Sequence, residues 1–247
     1  MSDSTPARST LTGGSPTTSP SGPRPNGPPR RYRLTSEGLR LLIERDQPAW
    51  REEDGAMRVS GLQTGVHSGP VGSPVGTHRH TDGLAVVTEQ PTRRLFLPVG
   101  GRVEAELRAT PDPTVMLAFW LVGFEESPDE CGEICVAELL GHAATKQRSQ
   151  VNLGVKAHSD PRLVTDMRTV DLAIDATTWH LYAAEWHPDQ PGISFFVDDQ
   201  LVHRSPQRLG YPMQLMVDLF EFRDPTGGGD GYPKTGDVRS VRAHTIP

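Results

Sequence analysis

Two cysteines in 247 residues, a 6% aromatic content, no apolar run long enough to span a bilayer and no excess of basic charge set the first limits on this chain. Cys131 and Cys135 are the only thiols. Four residues of extended chain separate their Cα atoms by about 13 Å, beyond the roughly 7 Å that a disulfide bridges. Both are expected to be free, which suits a reducing compartment. The lack of an 18-residue apolar stretch rules out a membrane-spanning helix, so no membrane partner is expected. The first 31 residues lack the apolar centre of a signal peptide, and Arg30–Arg31 leads into polar "YRLTSEGLR", so a cytoplasmic location is expected. A formal charge of -6 leaves no basic stripe to displace counterions from phosphates, which argues against nucleic acid as a partner. A monomer is expected.

What the chain does have is glycine and proline, 25 and 23 residues, in a sequence that is 35% apolar and 23% charged. That balance fits one sizeable domain of many short strands between turns. The proline-rich segment 1–31 contains 22 Ser, Thr, Pro or Gly residues, one Leu and no aromatic. It cannot bury enough apolar surface to offset its ordering entropy, and is expected to be a disordered tail ahead of a folded domain over 32–247.

In that domain about thirteen short apolar or alternating runs follow one another, among them "LRLLIER", "AMRVSGL", "GLAVVTE" and "RRLFLPV". In "GRVEAELRA", Val103, Ala105 and Leu107 alternate with Arg102, Glu104, Glu106 and Arg108, the pattern of a strand with one wet face. "VMLAFWLVGF" is apolar on both faces, so both must be covered, by protein or by ligand. "ISFFVDDQLVHR" predicts a hairpin turning at Asp198 and Asp199. A turn over 36–41 is the only helix expected. The architecture predicted is an all-β sandwich or barrel.

The segment "GEICVAELLG" places Glu133 and Glu138 five positions apart with Cys135 between them. On a regular strand residues of odd separation face opposite sides. One β-bulge between them corrects the parity and puts Glu133, Cys135 and Glu138 on one face.

This segment resembles the active-site strand of glycoside hydrolase family 16, the laminarinase, lichenase and agarase family, whose bulged form reads G-E-I-D-I-x-E. The similarity continues in "GRVEAELRA", "LAFWLVG", "WHLYAAEWHPDQPGISFFVDDQLV", "PMQLMVDL" and "GDVRSVRAH", in the family's order. The resemblance implies a concanavalin-like β-jelly-roll sandwich of two antiparallel sheets with a groove across the concave one. It also implies a retaining endo-glycosidase acting on a β-linked polysaccharide, a β-glucan or galactan, with Glu133 as nucleophile and Glu138 as acid/base. The partner implied is a polysaccharide or oligosaccharide, and the chemistry needs no cofactor. Cys135 stands where the family pattern has Asp; a thiol is a weak donor and carries no charge unless ionised. The alternative on the same fold is a non-catalytic carbohydrate-binding protein. Asp218 stands where the pattern has Asn, and is expected to compensate in part if it lines the groove.

Sugar rings present apolar faces, so aromatics are expected along the groove. Trp120 and Trp186 are the candidates, with Phe220 or Phe222, while Trp179 is read as core. His158 is placed at a groove strand end, where it would bond a sugar hydroxyl. His78 and His80 are read as an exposed loop. Asp237, on the last strand, is the candidate ligand of a structural calcium ion.

Overall fold

The computed structural model describes residues 31–50, 54–78, 83–222 and 230–246. The expected tail, apart from Arg31, lies outside the described residues. The Arg31 carbonyl already accepts the Leu42 amide at 2.8 Å and the Ser60 hydroxyl at 2.6 Å.

Two large sheets make up the fold. One has the order β1 (Tyr32–Thr35), β2 (Gly38–Ile43), β15 (Lys234–His244), β6 (Gly101–Arg108), β11 (His180–Trp186), β12 (Ile193–Val197) and β13 (Gln200–Ser205). The other runs β10 (Asp166–Leu172), β9 (Ser149–Lys156), β8 (Glu133–Leu140), β7 (Val115–Gly123), β14 (Met213–Glu221) and β3 (Arg58–Gln63). A short ribbon joins β4 (Gly65–Val66) to β5 (Arg93–Arg94). Neighbouring strands are antiparallel throughout. This is the expected jelly-roll sandwich.

Strand parity decides what lies between the sheets. Val103, Ala105 and Leu107 of β6 point inward with Tyr182, Ala184 and Trp186 of β11, and meet Leu117, Phe119 and Leu121 of β7 and Leu215, Val217 and Leu219 of β14. The opposite parity of the six-stranded sheet faces away from this core. That outer face carries Met116, Ala118 and Trp120 of β7, Met216, Asp218 and Phe220 of β14, and Asn152 and Lys156 of β9. The double apolar character of "VMLAFWLVGF" thus reflects a core face and a groove face.

Several expectations need correction. The segment 36–41 is not helical: Gly38 opens β2, with φ +137, and pairs with Thr35 across a two-residue turn. "GLAVVTE" forms no strand; its Val86 is buried under the 69–76 loop through bonds to Gly72 and Ser73. A short apolar run has no periodicity to tell a strand from an apolar loop plug. "RRLFLPV" pairs only at Arg93 and Arg94. The Asp198–Asp199 turn is as expected, and both aspartates take positive φ, 49° and 61°.

Trp186 is a core residue, 2% exposed, whose indole N–H donates to the Val99 carbonyl at 2.9 Å. It belongs to the seven-stranded sheet and points inward, so it reaches no groove. Trp179 lies on that sheet's outer surface, stacked between the guanidiniums of Arg108 at 4.4 Å and Arg239 at 4.2 Å. Asp237 is clamped by arginines: Oδ1 accepts from Arg40 Nε at 2.6 Å and Oδ2 from Arg108 Nη2 at 2.7 Å. Two guanidiniums occupy the oxygens a calcium ion would need, so the residue does not fit the ligand role.

Candidate active site

The bulge in β8 is present. Against β9, Cys135 pairs with Gly154 and Glu138 with Asn152, three steps on one strand for two on the other. Against β7, Trp120 pairs with Cys135 and Phe119 with Ala137, so Val136 is the extra residue. Ile134, Val136, Ala137 and Leu139 enter the core. Glu133, Cys135 and Glu138 share the outer face, and an oxygen or sulfur atom of each lies within 4.8 Å of the others.

Tyr211 fixes the start of this strand. Its hydroxyl accepts the Gly132 amide at 2.9 Å and donates to Asp160 Oδ2 at 2.9 Å. Asp160 is held in turn by Arg162 at 2.7 Å. Gly132 permits the approach, since a Cβ there would lie 2.4 Å from the Tyr211 hydroxyl oxygen and 2.3 Å from a Leu163 methyl. Gly132→Ala is expected to cost about 1–3 kcal/mol through overpacking, checked by thermal unfolding.

Around the acids the charges are close. Lys156, the cross-strand partner of Glu133, donates to Glu133 Oε1 at 3.0 Å and to Glu138 Oε1 at 2.7 Å. His158, in a positive-φ turn after β9, sets its Nε2 at 2.8 Å from Glu133 Oε2. The Cys135 thiol donates to Glu133 Oε1 at 2.7 Å. Burial alone would raise the Glu133 carboxyl, but the His158 bond, the Lys156 charge and the Cys135 thiol outweigh it and bring it down to about 2. The Cys135 thiol moves the other way, pushed well above its ordinary range by burial and the Glu133 charge, so it stays protonated.

Asp218 lies on the same outer face, 2% exposed, and accepts the Trp120 indole N–H on Oδ2 at 2.7 Å. It bonds the groove tryptophan rather than either glutamate. Gly61 makes room for it: a Cβ there would fall 1.6 Å from Asp218 Oδ1. Burial raises this carboxyl to about 7, with the Glu133 charge acting in the same sense and the Trp120 bond against it.

A cavity of about 310 Å³ opens over these groups, lined by Trp50, Met57, Met116, Trp120 and Phe220 beside Asp54, His78, Glu133, Glu138, Lys156 and His158. Trp120, His158 and both glutamates are therefore brought together, and Phe220 lines the cavity with Phe222 stacked on it at 6.1 Å. His78 is not an exposed loop residue: it is buried, its amide donates to Glu125 at 3.1 Å, and its ring lies 3.0 Å from Gln214. His80 lies outside the described residues. Sequence reasoning missed Lys156, Trp50 and His78. For Lys156 a signal exists, since Asn152, Gly154 and Lys156 share a parity opposite to the apolar Val151, Leu153 and Val155.

Two carboxylates within reach of each other on the floor of an aromatic-walled groove are the constellation of a glycosidase. The chain belongs to the glycosyl hydrolases family 16, whose family model matches residues 96–222. No curated protein matches the sequence. Among solved structures, a GlcNAcα1-4Gal-releasing endo-β-galactosidase from Clostridium perfringens is similar with a TM-score of 0.70 and 21% identity, over 86% of this chain and 52% of that one. The chain thus spans about half the length of that protein. The Bacillus licheniformis β-glucanase is similar with a TM-score of 0.57 and 18% identity, over 100% of this chain and 95% of that one. An endo-acting O-glycanase of the human gut microbiota gives 0.60 and 15%, over 91% and 86%. At these identities the likeness is one of fold.

Proposed function

We propose that this protein is a retaining endo-glycosidase that hydrolyses a β-linked polysaccharide, with Glu133 as nucleophile and Glu138 as acid/base. The observation that carries the proposal is the spacing of the two side chains, with oxygens within 4.8 Å. Retaining enzymes hold their carboxyls about 5–5.5 Å apart, whereas inverting ones leave about 6.5–9.5 Å for a water. Glu133, kept ionised by its neighbours, attacks the anomeric carbon while Glu138 gives its proton to the departing glycosidic oxygen. Glu138 then takes a proton from the water that releases the glycosyl-enzyme. Trp50, Trp120 and Phe220 offer the apolar surfaces on which sugar rings stack. The names of the similar structures, an endo-β-galactosidase and a β-glucanase, support a β-linked glycan as substrate.

A second reading, a carbohydrate-binding groove without turnover, is favoured by the uncharged Cys135 and by the Lys156 ammonium on Glu138 Oε1 at 2.7 Å. One experiment separates the two. The protein and its Cys135→Asp variant are given laminarin, lichenan and agarose, and the anomer of the first product is read by proton NMR. Hydrolysis with retained configuration is expected in the parent. The variant should be about 10- to 100-fold faster, because a charge-assisted hydrogen bond contributes about 1.5–3 kcal/mol. Inverted product sinks the retaining assignment, and binding without turnover in the parent establishes the second reading.

A further inference from the structure

We infer that Lys156 is a positioning residue of the carboxylate pair, its ammonium fixing the spacing of Glu133 and Glu138 and the charge of Glu133, where the buried Cys135 thiol supplies no charge. This inference rests on the hydrolase reading of the groove.

The register makes the arrangement specific. Lys156 stands directly across from Glu133, and the bulge carries Glu138 forward so that it pairs with Asn152, two residues before Gly154. Gly154, opposite Cys135, has no side chain, so nothing on β9 stands between the Lys156 stem and Glu138. The ammonium then donates to one oxygen of each carboxylate, at 3.0 and 2.7 Å. A cation so shared ties the two oxygens to one centre and favours the ionised form of Glu133. The Lys156 side chain is 33% exposed, so it has water on one side and can be drawn away from either acid.

The neighbouring strands offer no substitute for it. β8 itself presents only Cys135 and Glu138 beside Glu133; β7 presents Ala118, Trp120 and Val122, which are uncharged. β14 contributes Asp218, an acid; from the turn after β9 comes His158, bonded to Glu133 alone among the pair. Asp54 and His78 line the same cavity. Among the described residues, Lys156 is the one cation bonded to both acids.

The test labels glutamate with carbon-13 at the carboxyl and follows the Glu133 signal, assigned by its loss in Glu133→Gln, from pH 3 to 8. In the parent no titration step is expected above pH 3. In Lys156→Met the step should enter this window, a rise of about one pH unit or more, and Lys156→Arg should return it below pH 3. Lys156→Gln serves if the Met variant does not fold. An unchanged Glu133 signal in folded Lys156→Met or Lys156→Gln overturns the inference. A second arm measures kcat and KM against pH: the profile of kcat should move in the uncharged variants while KM stays within about threefold. A lowered Tm with an unmoved kcat profile marks a merely structural lysine and also overturns it. If neither the parent nor Cys135→Asp turns over any glycan, the hydrolase reading fails, and the carboxyl titration still decides whether Lys156 governs the pair.

Discussion

Glu133→Gln is expected to lower kcat by at least about a thousandfold, with substrate binding largely kept. An amide presents the same shape but no nucleophilic oxygen, and loss of a covalent nucleophile commonly costs this much or more. The same change alters stability in a pH-dependent way. The Glu133 carboxyl is lowered from 4.5 to about 2 in the fold. Its ionised form is therefore favoured by folding, a contribution fully present above the unfolded value and lost as pH falls toward 2. The parent should exceed the variant by roughly 3 kcal/mol at pH 7, narrowing between pH 5 and 2. Kinetics on a soluble glycan and urea unfolding at pH 7 and pH 3 measure both effects. A variant retaining a tenth of parental kcat removes Glu133 from the nucleophile role.

Asp218→Asn should act with the opposite sign. Asp218 is raised from 3.8 to about 7, so the fold prefers it neutral. Its neutral form contributes stability that is fully present below the unfolded value and is lost as pH rises through the folded one. An amide stays neutral at every pH and still offers an oxygen to the Trp120 indole. The variant should therefore match the parent near pH 4 and surpass it at pH 8, by up to about 4 kcal/mol. Melting temperatures across pH 4–8 report it, and a gap that does not widen with pH refutes the buried-acid account. The result would also separate the two roles of this residue: Trp120 keeps its hydrogen bond in the variant, while a charge beside Glu133 is removed.

Much of the sandwich is legible in the sequence because strand parity is written in single residues. Val103, Ala105 and Leu107 mark their own face, and the odd spacing of Glu133 and Glu138 by itself demands a bulge if both acids are to meet one substrate. What parity cannot supply is the register between strands and the sheet to which a strand belongs. Trp186 lies on a recognisable strand, yet that strand sits in the sheet opposite the groove, and its indole turns inward to the Val99 carbonyl. Lys156 is hidden for the same reason: nothing in "VNLGVKA" says that its lysine will stand across from Glu133. Asp237 reads as a cation ligand because its sequence neighbours say nothing of Arg40, which is 197 positions away.

The extra residue in β8 also determines which genetic changes the groove tolerates. Loss of the single codon for Val136 would leave Glu133 and Glu138 four positions apart on a regular strand, so Ala137 would still enter the core and Glu138 would still face the groove. What is lost is the local kink, since every later side chain keeps its side. Exchanges such as Val136→Ile leave the count of residues intact and the acids facing outward. In a lineage descended from this sequence, loss of one codon in 134–137 would exchange the bulged strand for a regular one with both acids still facing outward. A bulged strand with five steps and a straight one with four are thus interchangeable ways of presenting the same two acids.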